Sequence, residues 1–167
     1  MVRLTGVFRA MLGSALPPGV RLEPAQPTCT EPQFVYHPSY RWYTVDGSIR
    51  RADGDSGFFQ LRVFPTGTDE AMAELCSGGP DELSCESKDY PDGATAVVRV
   101  NEFMADGRQL WALLSRPDGT SVQIMTNNLH HEVIGNQVET TLTADEPLLT
   151  LDQLVTIART PGLTLYP

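Results

Sequence analysis

The stretch DGATAVVRVNEFMADGRQLWALLSRPDGTSVQIMT, residues 92–126, carries three Asp-Gly pairs, Asp92-Gly93, Asp106-Gly107 and Asp118-Gly119. Glycine tolerates positive φ and the aspartate side chain bonds the local backbone, so each pair is a tight-turn signal. The segments they bracket, 94–100, 108–115 and 120–126, are rich in β-branched and apolar residues. Together they read as an antiparallel meander. In the third, Val122, Ile124 and Met125 are interleaved with Ser121 and Gln123, so one face is expected to be buried and the other wet.

Upstream, FFQLRVF (58–64) is the strongest single strand, with Phe59, Leu61 and Val63 on one side. RWYTV (41–45) is expected to pair with it across a loop holding Asp46-Gly47 and Asp53-Gly54, and VRLE (20–23) is a further short strand. Three helices are expected. At the N-terminus Leu4, Val7, Phe8, Met11 and Leu12 share one helical face, and Arg9 interrupts the apolar run a signal peptide would need. Thr68-Asp69-Glu70 opens a short middle helix that ends at Gly78-Gly79-Pro80. Near the C-terminus Thr150 and Gln153 form a capping box, Leu149 and Leu154 a hydrophobic staple, and Leu151, Leu154, Val155 and Ala158 a buried stripe.

These elements predict an α+β fold: an antiparallel sheet of about five to seven strands with N-terminal, middle and C-terminal helices, loosely similar to Mog1/PsbP-like domains. The 167 residues suit one domain. It divides into an amphipathic helix (1–16), a Pro-rich segment (17–38), the sheet with one inserted helix (39–147) and a closing helix (148–162).

A net charge of −9 leaves no basic patch to neutralise phosphates, which argues against nucleic-acid partners. No apolar run reaches the roughly 18 residues a membrane-spanning helix needs. Gly54-Asp55-Ser56-Gly57 resembles the nucleophile motif of chymotrypsin-like proteases, but only His37 precedes it and no barrel fits upstream. Asp46, Asp53 and Asp55 offer hard oxygen ligands without the spacing of a calcium loop. His130, His131 and Glu132 are the weak metal candidates. In an extended chain the two histidines point apart, and the expected structure here is a polar loop after the turn-forming Asn127-Asn128. No cofactor is expected. The aromatic cluster Tyr36, His37, Tyr40, Trp42 and Tyr43 is the best ligand-binding candidate, able to line a groove or stack on a sugar.

Cys76 and Cys85 flank a Gly-Gly-Pro turn, and a disulfide closing that loop is sterically reasonable; Cys29 is then the odd thiol, the alternative being that it pairs with one of the other two. A disulfide points to an oxidising compartment.

The closing EPLLTLDQLVTIARTPG (146–162), the opening LPPGVRLE (16–23), and the order strand, helix, Cys-loop-Cys, YPDG (90–93), strand, RPDGTSVQI (116–124) resemble a set of uncharacterised actinobacterial proteins. In these the domain typically follows a membrane helix and faces outward. The resemblance covers the chain from about Leu16 and carries no catalytic motif. It implies an extracytoplasmic sensor or binding domain, non-enzymatic, whose partner is an unidentified protein, envelope component or small ligand. The membrane would be reached only through a segment this sequence does not contain. A cytoplasmic free-standing relative is the alternative location. The alternative functions are a metal-dependent hydrolase using His130, His131 and Glu132, and a structural subunit assembling through an open sheet edge.

Overall fold

A computed structural model of the chain describes residues 1–25, 28–67, 76, 78–103, 106–134 and 137–166. The expected middle helix falls on 68–76, almost wholly outside these residues. Helix α1 (Val2–Ala15) is followed by strands β1 (Val20–Pro24), β2 (Val35–His37), β3 (Trp42–Arg51), β4 (Ser56–Pro65), β5 (Glu82–Asp89), β6 (Thr95–Phe103), β7 (Gly107–Ser115), β8 (Thr120–Asn127), β9 (Leu129–Ile134) and β10 (Gln137–Leu142), then helix α2 (Leu151–Ala158). Strands β1 to β8 form one antiparallel sheet in the order β1-β3-β4-β8-β7-β6-β5, with β2 also paired to β3. The fold is α+β, as the meander and the capped helices imply. No helix among the described residues is long and apolar enough to cross a membrane.

Strand alternation builds the core. Val45 faces Leu61, Leu61 faces Ile124, Ile124 faces Ala112 and Ala112 faces Val98, one apolar row across five strands. On this face Leu4, Phe8 and Met11 of α1 and Leu154, Ile157 and Ala158 of α2 are buried. Phe8 stands edge-on to Phe34 at 5.8 Å and lies 6.2 Å from Phe59, so α1, the Pro-rich segment and the sheet share one aromatic contact. The Thr150 hydroxyl accepts from the Gln153 amide, and the Gln153 side chain accepts from the Thr150 amide, so the capping box forms as expected. The stripe of α2 is rotated slightly from the expected one: Ile157 is fully buried, while Leu151 and Val155 are half-buried.

Three hairpin loops among the described residues are built alike. In Ala52-Asp53-Gly54, Pro91-Asp92-Gly93 and Pro117-Asp118-Gly119, the residue before the loop pairs with the residue after it and accepts from the glycine amide. Each aspartate accepts from the amide two residues on, and each glycine has positive φ, 109°, 80° and 80°. This is a type I turn closed by a left-handed glycine.

Five expectations need correction. The face of β8 expected to be wet is covered too, since Ser121 and Gln123 are buried. Asp46-Gly47 lies inside β3 instead of in a turn: the glycine faces Pro24 on one side and Phe59 on the other, and a Cβ there would sit 2.3 Å from the Glu23 carbonyl oxygen. Only glycine lets β1 approach that closely. The Pro-rich segment supplies two strands, β1 and β2, which share one edge of β3 in succession. Residues 129–132, expected within a polar loop, belong to β9, which pairs with β10 as a hairpin. Asn127-Asn128, read as turn-forming, is buried at the point where β8 ends and this hairpin begins.

Candidate functional site

The aromatic cluster occupies the β2–β3 hairpin. Pairing of Tyr36 with Tyr43 and of His37 with Trp42 sets the register, and Arg41 takes a left-handed conformation (φ 57°) to close the turn. Because neighbouring residues alternate, the five residues divide between the two faces of the hairpin. Tyr36 and Tyr43 pack together at 4.7 Å on the side of the helices, where Tyr43 joins the core. On the opposite side Tyr40 stacks on Trp42, centroids 4.4 Å apart and 13° from parallel, with the Arg62 guanidinium 4.6 Å from the Trp42 ring centre. Tyr40 is 62 % exposed, so one ring face is open to solvent.

Beside this stack is a recess of about 90 Å³ lined by Pro24, Ala25, Cys29, Gln33, Val35, His37, Thr44 and Asp46. It exists because β1 stops pairing at Gly47 and β2 resumes at Thr44, leaving a gap along β3 that is crossed by the bond from the Ala25 amide to the Asp46 carbonyl. His37 Nε2 shares a hydrogen bond of 2.9 Å with Thr44 Oγ1, the Gln60 amide donates to Asp46 Oδ1 at 2.7 Å, and the Gln33 amide contacts Cys29 Sγ at 3.3 Å. The volume is well below the roughly 300 Å³ of a drug-sized pocket and suits one hydroxyl or hydroxymethyl group. His37 and the aromatic residues were legible as candidates. Thr44 and Gln33 were not, and Asp46 stood out only as a calcium-type ligand, because nothing local announces that two short strands will divide one edge.

The other candidates do not converge. Ser56 is buried and pairs with Arg50, while His37 pairs with Trp42, eight positions away along β3 or about 26 Å at strand rise. Asp53 and Asp55 both meet Arg51, at 3.6 and 3.2 Å, and Asp46 sits near the middle of the strand. His130, His131 and Glu132 are consecutive in β9, so their backbone is extended, and His130 is exposed. Among the described residues no three His, Cys, Asp or Glu side chains are placed to hold a metal ion.

Cys76 and Cys85 form a disulfide with Cα atoms 5.5 Å apart, and Cys29 takes no part in it. Cys85 faces Arg99 on the edge strand β5, on the side of the sheet away from the helices. The bond therefore fastens the connection after β4 to the far edge of the sheet. Comparison of the chain with protein-family models, with curated proteins and with solved structures gave no match.

Proposed function

We propose that this chain is a non-enzymatic, extracytoplasmic binding domain that takes an envelope carbohydrate at the β2–β3 hairpin. The observation that carries the reading is the open face of Tyr40, stacked on Trp42 and bordered by a hydroxyl-sized recess with His37, Thr44 and Asp46 in its wall. A sugar offers an apolar C–H face to an aromatic ring and hydroxyls to polar side chains, which is the combination present here.

Trp42 and Trp111 are the two tryptophans of the chain, so in a Trp111→Phe background Trp42 reports alone. Titration with a soluble N-acetylglucosamine tetramer is expected to give a saturable change in its fluorescence, weakened about tenfold by Tyr40→Ala. A flat titration sinks the carbohydrate reading.

The location rests on the Cys76–Cys85 bond, since disulfides persist in oxidising compartments. Peptide mass spectrometry of unreduced, alkylated protein is expected to recover Cys76 joined to Cys85 and the alkyl group on Cys29. Loss of the bond in a Cys76→Ser, Cys85→Ser double variant is expected to cost about 2–3 kcal/mol through loop entropy. Alkylation at all three cysteines removes the support for an outward-facing location.

A further inference from the structure

At one end of the sheet the loops Pro91-Asp92-Gly93 and Pro117-Asp118-Gly119 lie side by side: a Cβ on Gly93 would meet Pro117 Cγ at 3.0 Å. The C-terminus of α2 comes down beside them, and together they enclose a recess of about 290 Å³. Its apolar wall is Ala94, Leu114 and Pro117, and its charged groups are Arg116, Arg159, Asp92 and Asp118.

The charges are only partly satisfied. Arg116 Nη2 donates to the carbonyls of Ala158 (2.7 Å) and Thr160 (3.1 Å) at the end of α2. Arg159 Nη2 donates to Asp92 Oδ2 at 2.8 Å, and its guanidinium lies 4.0 Å from the Tyr90 ring centre. Arg116 Nε and Arg159 Nη1 are nevertheless buried with no hydrogen-bond partner among the described residues. Buried donors without a protein partner are met by ordered water or by an acceptor from outside the chain. Arg116 also makes no ion pair among those residues, although burial first and then Arg159 press its pKa below the usual arginine range, against the opposing pull of Asp118. Asp118 uses Oδ1 on the Thr120 amide, 2.8 Å away, and no bond to Oδ2 is formed within the described residues.

The unused groups are thus guanidinium donors and one carboxylate oxygen. A plain anion would meet Asp92 and Asp118 in the wall of a chain that carries a net charge of −9. We propose that this recess binds a small zwitterion, an α-amino acid whose carboxylate meets Arg116 and Arg159, whose ammonium meets Asp118, and whose short aliphatic side chain lies on Ala94, Leu114 and Pro117. Charge-assisted bonds at both ends select a ligand with adjacent opposite charges over one with either alone.

The test is an NMR titration of the full chain with L-alanine, acetate and ethylammonium at matched ionic strength, following the arginine Nε–H signals and the Gly93 and Gly119 amides. Alanine is expected to saturate, with the two half-ligands at least about tenfold weaker. Asp118→Asn keeps the side-chain oxygen that caps Thr120, so the melting temperature should hold while alanine affinity falls about tenfold. Arg159→Gln should weaken alanine similarly, and Tyr40→Ala should leave it unchanged, which separates this site from the hairpin. Acetate binding as tightly as alanine, tighter binding by the Asp118→Asn chain, or no saturable shift with alanine overturns the proposal.

Discussion

A Gly57→Ala chain is expected to lose about 3 kcal/mol of stability or more, read as a fall in the urea midpoint at unchanged slope. The cause is backbone against backbone. A Cβ at Gly57 would lie 2.0 Å from the Asn127 carbonyl oxygen and 3.1 Å from its carbon, and no side-chain rotation relieves that contact. Either β4 or the end of β8 must move, and Gly57 is held by its pairing with Ile49 and Asn127 by its pairing with Gln109. Gly6→Ala is the matched control, because a Cβ on that exposed helical glycine meets nothing within 4 Å and alanine is the better helix former. It should hold or raise the midpoint. A Gly57→Ala midpoint within error of the parent would mean that β4 and β8 do not approach as described.

The second large effect is expected at Asn128. Its Oδ1 accepts from the Arg108 amide at 2.8 Å, and its Nδ2 donates to the Ala144 carbonyl at 2.9 Å and the Asp145 carbonyl at 3.4 Å. The residue is fully buried, so Asn128→Ala strands a donor and an acceptor away from water, at a cost of about 3 kcal/mol. Asn128→Asp should be no milder: it keeps the acceptor, cannot donate to Ala144, and adds a buried charge. Thr143 bonds both the Ser56 carbonyl (2.7 Å) and the Asn128 carbonyl (3.0 Å), so Asn128→Ala and Thr143→Val belong to one network. Their combined loss should fall short of the sum in a double-mutant cycle. Strict additivity would mean the two residues do not act together in tying the β9–β10 hairpin to the sheet.

Asp92 gives a smaller, pH-dependent expectation. Its pKa lies below the usual aspartate value, held down chiefly by the Ala94 amide and then by Arg159 against some desolvation. A folded-state pKa below the unfolded one adds stability at neutral pH that is lost as pH falls from the unfolded value through the folded one. The contribution belongs to the acid limb of the stability profile and should be absent from it in Asp92→Asn.

What could be read from the chain was what depends on neighbours in sequence. The alternation in 58–64 and 120–126 placed Phe59, Leu61, Val63, Val122 and Ile124 on the core face, and the structure keeps all five buried. The Thr150–Gln153 box and two of the Pro-Asp-Gly-type loops in the quoted stretch are likewise local devices, each closed by bonds spanning four residues or fewer. Asp46-Gly47 misled because the same dipeptide serves a turn or a close strand crossing, and only the arrival of β1 decides between them. Asn127-Asn128 misled for the same reason: its partners, Phe58, Arg108, Ala144 and Asp145, are distant in sequence for all but the local bonds.

The candidate sites follow this division. The aromatic residues of the β2–β3 hairpin lie within eight positions of one another, so their grouping was visible, but their partition between two faces waited on the register. Both recesses are products of tertiary structure alone. One lies where two short strands share an edge, and the other where two hairpin loops meet the end of a helix, and no periodicity encodes either meeting. Hydrophobic spacing and turn chemistry act over a few residues and therefore fixed the elements and the buried face. Which backbones come within reach of one another depends on how those elements pack, and that alone placed His37 and Asp46 in one recess and Arg116 and Arg159 in the other.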